Sequence, residues 1–254
     1  MQVKQNDVFQ LGDHKIACGR AEDKELVKRL IGKEKIRLIC GDPPYGCAFV
    51  ENKNWLGLKG AESKYFKKFS KIEGDHLQTE EEYSQFTKSW LEPIIPYLQE
   101  KNAFYIFNSD LMMCALKKGI QEAGGHNSQM IIWIKNNIVL GRKDYNPMHE
   151  LIQYGWFGAH KFERSKAKSV IFYPRPAKSK IHPTMKPPGL LRKLILNSTK
   201  INEVVYDPFL GSSSTIIACE QIKRRCFGIE VSENYVGKSI QRWEKMTNLK
   251  AKKL

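Results

Sequence analysis

Asp42-Pro43-Pro44-Tyr45 is the stretch whose residue types point most directly to chemistry. Asp42 brings a carboxylate acceptor. The Pro43 carbonyl brings a second, held by two consecutive fixed φ angles. Tyr45 brings a flat ring able to stack on another. Two acceptors beside a stacking surface suit the exocyclic amine of a base. That nitrogen is a weak nucleophile, because its lone pair is delocalised into the ring. Its N–H groups need acceptors as charge builds during attack. A proline turn opened by an aspartate is the plainer reading. Position argues for chemistry: Ile36–Cys40 reads as a buried strand, and open α/β sheets bind ligands where their strands end.

A second constellation lies late in the chain. Val204–Tyr206 reads as a strand, and Asp207-Pro208-Phe209-Leu210-Gly211-Ser212-Ser213-Ser214-Thr215 as a small-residue turn into a helix. Small residues let backbone approach a ligand, and helix amides face a carboxylate. Asp207 either meets the ligand's ammonium group or orders the loop. Glu230 follows Asp207 by 23 residues, at the end of the next strand. An acid about 20 residues on is the spacing expected for ribose hydroxyls. Capping of the last helix is the alternative role for Glu230.

The elements that must position these groups alternate along the chain. Ile16–Cys18 reads as a strand, followed by a helix capped by Asp23 and ended by Gly32, then Ile36–Cys40: a βαβ unit. Thr79 and Glu82 form a capping box for the next helix. Asn102–Phe107, Met130–Ile134 and Leu151–Trp156 read as strands, with a helix from Asp110 to Gly124. A helix follows Pro187, and the last carries Tyr235, Ile240 and Trp243. The Lys250–Leu254 tail is expected to fray.

The 254 residues, 41% hydrophobic, suit one α/β domain with a real core. No apolar run approaches a membrane span, and no signal-peptide pattern opens the chain. Six cysteines without a zinc spacing read as reduced thiols of a cytoplasm-like compartment, with no metal site. The net charge of +15 favours a polyanionic partner. Lys64, Lys67 and Lys68 crowd the aromatic segment 47–77, which reads as a flexible DNA-facing loop. Arg164 and Arg175 stand out in the basic segment 157–181 as candidates for guanine contacts.

The motifs together resemble the β-class of amino DNA methyltransferases, in which the catalytic motif precedes the cofactor motif. Asp42–Tyr45 matches the catalytic motif and Asp207–Ser212 the cofactor loop. His182-Pro183-Thr184-Met185-Lys186-Pro187 matches the family's HPTxKP element. Trp133-Ile134-Lys135 and His149-Glu150 match intermediate landmarks, and the latter pair reads as support for the last strands. The resemblance implies a doubly wound, mostly parallel, Rossmann-like α/β fold in permuted motif order. It implies S-adenosyl-L-methionine as cofactor, bound by Asp207, Phe209, Gly211, Ser212, Ser213, Thr215, Glu230, His182, Thr184 and Lys186. Asp42, Pro43, Pro44 and Tyr45 are the implied catalytic residues. Aspartate at the first position implies adenine in double-stranded DNA; serine there goes with cytosine. A cytosine-amine enzyme and a non-catalytic DNA-binding subunit are the rival readings. A bacterial or phage origin, a homodimer and a cognate restriction enzyme are compatible with the resemblance. Segment 157–181 stands where relatives carry target recognition, and its shortness predicts a short or relaxed target. Two departures stand out: Ser213 where relatives usually have glycine, and Gly19-Arg20 where they usually have Gly-Asp.

Overall fold

The computed structural model describes residues 2–46, 76–138, 144–164, 166–174 and 185–254. The chain opens with β1 (Val8–Leu11), β2 (His14–Cys18), α1 (Lys24–Ile31) and β3 (Ile36–Gly41). Then come α2 (Glu80–Leu91), β4 (Leu98–Asn108), α3 (Met113–Glu122), β5 (Gly125–Ile134), β6 (His149–Phe157) and β7 (Val170–Phe172). The remainder is α4 (Pro188–Ser198), β8 (Val204–Asp207), α5 (Ser214–Gln221), β9 (Arg225–Glu230), α6 (Glu233–Thr247) and β10 (Lys252–Lys253).

Among the described residues the strands form one ten-stranded sheet, in the order β10-β1-β2-β9-β8-β3-β4-β6-β5-β7. β2, β9, β8, β3 and β4 run parallel as one block. Their carboxyl ends therefore share one edge, where Cys18, Asp42, Asn108, Asp207 and Glu230 are delivered. β6 runs against β4 and β5. Its start at His149 joins the carboxyl edge and its end at Phe157 the opposite, amino edge.

Helices cover both faces. Leu26 and Leu30 of α1, Tyr83 and Trp90 of α2 and Leu116 and Ile120 of α3 pack on Ile36, Ile39, Phe104 and Tyr206. On the other face Leu190 and Leu194 of α4, Ile216 of α5 and Ile240 and Trp243 of α6 pack on Leu38, Cys40, Tyr105 and Val205. A register shift between Ile36 and Leu38 sends these two residues to opposite faces.

Local signals explain the helix starts. The Asp23 side chain accepts from the Glu25 and Leu26 amides, and Thr79 and Glu82 complete a reciprocal capping box. Three expectations need correction. β2 and β3 are parallel but β9 and β8 lie between them, so the opening βαβ unit is a wide crossover. α3 starts after Met112 without a side-chain cap, so Asp110 does not open it. The chain end does not fray: β10 pairs with β1, and Ala251 is buried.

Candidate active site

The tetrapeptide leaves β3 at the carboxyl edge, flanked by β8 and β4. Gly41 precedes Asp42, and a Cβ there would meet Pro208 at 3.2 Å. A side chain there requires Pro208 to give by a few tenths of an ångström, so glycine lets the tetrapeptide lie close against the Asp207 loop. Gly46 closes the other end with φ of 64°. Its carbonyl accepts from the Gln78 amide at 3.1 Å. Residues 46 and 78 are thus clamped together, so the chain departs and returns beside Tyr45.

Three charged side chains, Lys186, Glu150 and Lys135, gather at the tetrapeptide. The Tyr45 hydroxyl donates to Asp42 Oδ1 at 2.7 Å, and Lys186 Nζ donates to Asp42 Oδ2 at 2.5 Å. Lys186 also lies 3.1 Å from Glu150 Oε2, and Lys135 Nζ lies 2.7 Å from Glu150 Oε1. Asp42 keeps 25% of its side chain exposed, against 8% for Lys186 and 4% for Lys135. Glu150 keeps 21%, so the two carboxylates open outward and the two ammonium groups do not. Burial pushes the Asp42 carboxyl above its usual value; Lys186 pulls against that and the Glu150 charge adds to it. Burial also works to raise Glu150, but Lys186 and Lys135 overcome it and hold its pKa at about 2. Burial would lower the Lys186 pKa, and the two carboxylates more than offset this.

The second loop is ordered from within. Asp207 Oδ1 accepts from the Phe209 amide at 3.0 Å, and Oδ2 from the Thr215 hydroxyl at 2.6 Å. Burial raises the Asp207 pKa to about 7, against these two hydrogen bonds. Glu230 Oε2 accepts from the Gly211 amide and Oε1 from the Ser232 amide, both at 2.8 Å. Phe209 reaches across to Trp90 and Phe86 of α2, with ring centroids 5.3 and 5.9 Å away. Ser213 caps α5 with φ of 61°, the left-handed conformation in which serine is strained. The buried hydroxyls of Ser213 and Ser214 have no hydrogen-bond partner among the described residues.

Asp42–Tyr45, Lys186, Asp207–Thr215 and Glu230 thus share one edge. Lys186 meets Asp42 and Tyr45, whereas the sequence grouped it with the cofactor residues. His182, Thr184, Lys64, Lys67, Lys68, Arg175 and most of segment 47–77 lie outside the described residues. Arg164 is on the wrong side for base contacts at Asp42. Its neighbour Glu163 pairs with Arg37 at the start of β3, and the Glu163 amide donates to the Asn197 carbonyl near the end of α4. Antiparallel β6 delivers this stretch to the amino edge. Part of segment 157–181 is also taken by β7, a strand of the sheet. Glu150 and Lys135 are site residues that the sequence did not place there. Their signal was their rank among the family landmarks, at the facing ends of β5 and β6.

The DNA methylase family, N6_N4_Mtase, matches residues 36–172 and 156–241, most of the chain. The chain belongs to this family. The methylase is 24% identical over 235 residues to the Type II methyltransferase M2.DpnII of Streptococcus pneumoniae, covering 80% of each chain. It is 24% identical over 265 residues to the Type II methyltransferase M.HpaI of Haemophilus parainfluenzae, covering 93% of this chain and 76% of that one. The crystal structure of the M1.HpyAVI–SAM complex matches with TM-score 0.64 at 24% identity, over 89% and 98% of the two chains. The PvuII DNA methyltransferase (cytosine-N4-specific) matches with TM-score 0.67 at 17% identity, over 92% and 90%. These two likenesses establish the Rossmann-like methyltransferase fold.

The cofactor of this fold is S-adenosylmethionine, and the residues present fit it. Two buried, unpartnered hydroxyls and helix amides stand at the start of α5, suited to a carboxylate. Glu230 ends the next strand at the same edge and brings a carboxylate beside the loop.

Proposed function

We propose that this methylase transfers a methyl group from S-adenosylmethionine to the exocyclic 6-amino group of adenine in double-stranded DNA. The observation that carries the reading is the Asp42 carboxylate, open at the end of β3 and set against the cofactor loop through Gly41 and Pro208. Aspartate at this position favours adenine over cytosine within the family. When bound, the cofactor supplies a methyl group on a sulfonium. The chain's own work is to hold the amine. Asp42 and the Pro43 carbonyl accept its two N–H bonds, and the Tyr45 ring stacks on a base taken out of the duplex. Lys186 and Tyr45 hold the Asp42 oxygens until the base arrives. Glu150 then offers Lys186 a second carboxylate, so its ammonium need not be left unpaired. The names of the Type II relatives support a cognate restriction enzyme as a partner of the same system.

Transfer of labelled methyl from S-adenosylmethionine to unmethylated genomic duplex DNA tests the reading. Label incorporated by the wild type and lost in Asp42→Ala, with cofactor binding retained in both, supports it. No incorporation by a wild type that binds DNA favours the non-catalytic subunit instead.

A further inference from the structure

Arg37 is 2% exposed and stands at the amino edge of the sheet, at the other end of β3 from Asp42. Its guanidinium donates to the carbonyls of Lys101 and Lys161 and pairs with Glu163 and Glu203 at 3.3 and 3.5 Å. One buried arginine therefore gathers the start of β4, the stretch after β6 and the turn before β8. The next turn joins them, since the Asn202 amide donates to the Lys223 carbonyl at 2.9 Å.

The side chains that this edge presents are mostly cationic. Lys35, Lys101, Lys161, Arg164, Lys200 and Lys223 are all exposed. The acids among them are largely used. Glu163 and Glu203 pair with Arg37, and Glu34 pairs with Arg225 at 2.6 Å. Glu100 is the exposed acid in the same stretch of β4. Arg164 also sits near enough to Arg224 to add to the lowering of its pKa that burial begins. Crowding like charges is unfavourable unless an anion covers them.

This edge is separated from the catalytic one by the length of a strand. β3 has 6 residues, which at roughly 3.3 Å each is about 20 Å. A duplex offering a base to Asp42 lies on the carboxyl edge. Duplex DNA has a persistence length of about 50 nm, so it does not fold back over so short a distance. We propose that the amino edge of the sheet binds the phosphate backbone of a second segment of double-stranded DNA, so that one molecule bridges two duplexes. Contacts of this kind position without reading sequence.

The test uses the full chain with two duplexes. One is immobilised and saturated with protein; the second is short, fluorescent and offered afterwards. The wild type captures the second duplex. Combined Lys101→Gln, Lys161→Gln, Lys200→Gln and Lys223→Gln lowers that capture at least tenfold. The same variant flattens the dependence of log K on log salt by about three to four, at roughly 0.9 per phosphate contact. Its kcat on a duplex too short to reach both edges stays at the wild-type value. A control set of Lys238→Gln, Lys245→Gln, Lys250→Gln and Lys252→Gln, on α6 and the chain end, leaves capture intact. Should the first combination fail to fold, the pairs Lys101/Lys161 and Lys200/Lys223 are changed separately, each expected to lose capture several-fold. The proposal is overturned if the wild type captures no second duplex, if the amino-edge variants capture it normally, or if the control set loses as much. It is equally overturned if the edge prefers vesicles containing phosphatidylserine to duplex DNA.

Discussion

Lys186 Nζ donates to Asp42 Oδ2 at 2.5 Å, occupying one oxygen of the carboxylate proposed to accept the amine. The Tyr45 hydroxyl takes the other oxygen. On the proposed function, base capture is an exchange of partners at Asp42, and Glu150, 3.1 Å from the same ammonium, is where Lys186 goes.

Removal of either neighbour moves the acid limb of the kcat/KM–pH profile, which reports the free enzyme, in opposite directions. Lys186 lowers the Asp42 pKa and Glu150 raises it. Lys186→Met therefore shifts the limb to higher pH, because Asp42 must be ionised to accept. Glu150→Gln shifts it to lower pH and reduces kcat/KM about tenfold, roughly 1.4 kcal/mol, as Lys186 loses its alternative seat. Shifts of the same sign in both variants would remove Lys186 and Glu150 from the account.

Glu230→Ala raises the dissociation constant for S-adenosylmethionine about tenfold to a hundredfold, the usual cost of about 1.5–3 kcal/mol for a charge-assisted partner. Affinity for DNA changes far less. Calorimetry with cofactor alone checks this. Because Glu230 also accepts from the Gly211 and Ser232 amides, thermal stability falls as well. Stability lost with cofactor affinity unchanged would reduce Glu230 to a loop and cap residue.

Ser213→Gly relieves a left-handed serine and removes a buried hydroxyl without a partner. Backbone strain of this kind is worth about 1–3 kcal/mol, so the Tm of the cofactor-free protein rises by several degrees. A lower Tm in thermal unfolding would show that the serine is tolerated at no cost.

Asp207 gives the fold a pH dependence of its own. Its pKa rises on folding from 3.8 to about 7, so between these values the folded chain binds more protons than the unfolded one. Its contribution to stability therefore falls as pH rises through that window, by roughly 1.4 kcal/mol per pH unit. Asp207→Asn abolishes this trend. Denaturant unfolding of both proteins at pH 5 and pH 7.5 measures it. The wild type loses stability relative to the variant at the higher pH; a relative gain contradicts the assignment.

Much of the fold was legible where the signal is local. Asp23, Thr79 and Glu82 act within one helical turn, and the spacing from Asp207 to Glu230 spans one helix and one strand. What was hidden depends on strand direction. A strand pattern over 151–156 does not say which way the strand runs. Its antiparallel placement carries Arg164 to the amino edge, while bringing Glu150 to Asp42. The convergence of Lys135, Glu150 and Lys186 joins three separate stretches, and no periodicity reports it. Lys252 and Lys253 look like a solvated tail by composition, yet their backbone completes the sheet beside β1.

We propose that Asp42 presents an adenine amine to the methyl donor. Unmethylated genomic DNA treated with the purified protein and S-adenosylmethionine, digested to nucleosides and resolved by mass spectrometry, tests it most directly. The wild type yields N6-methyladenine, and Asp42→Ala yields none. N4-methylcytosine as the product, or N6-methyladenine from Asp42→Ala at a tenth or more of the wild-type amount, would contradict it.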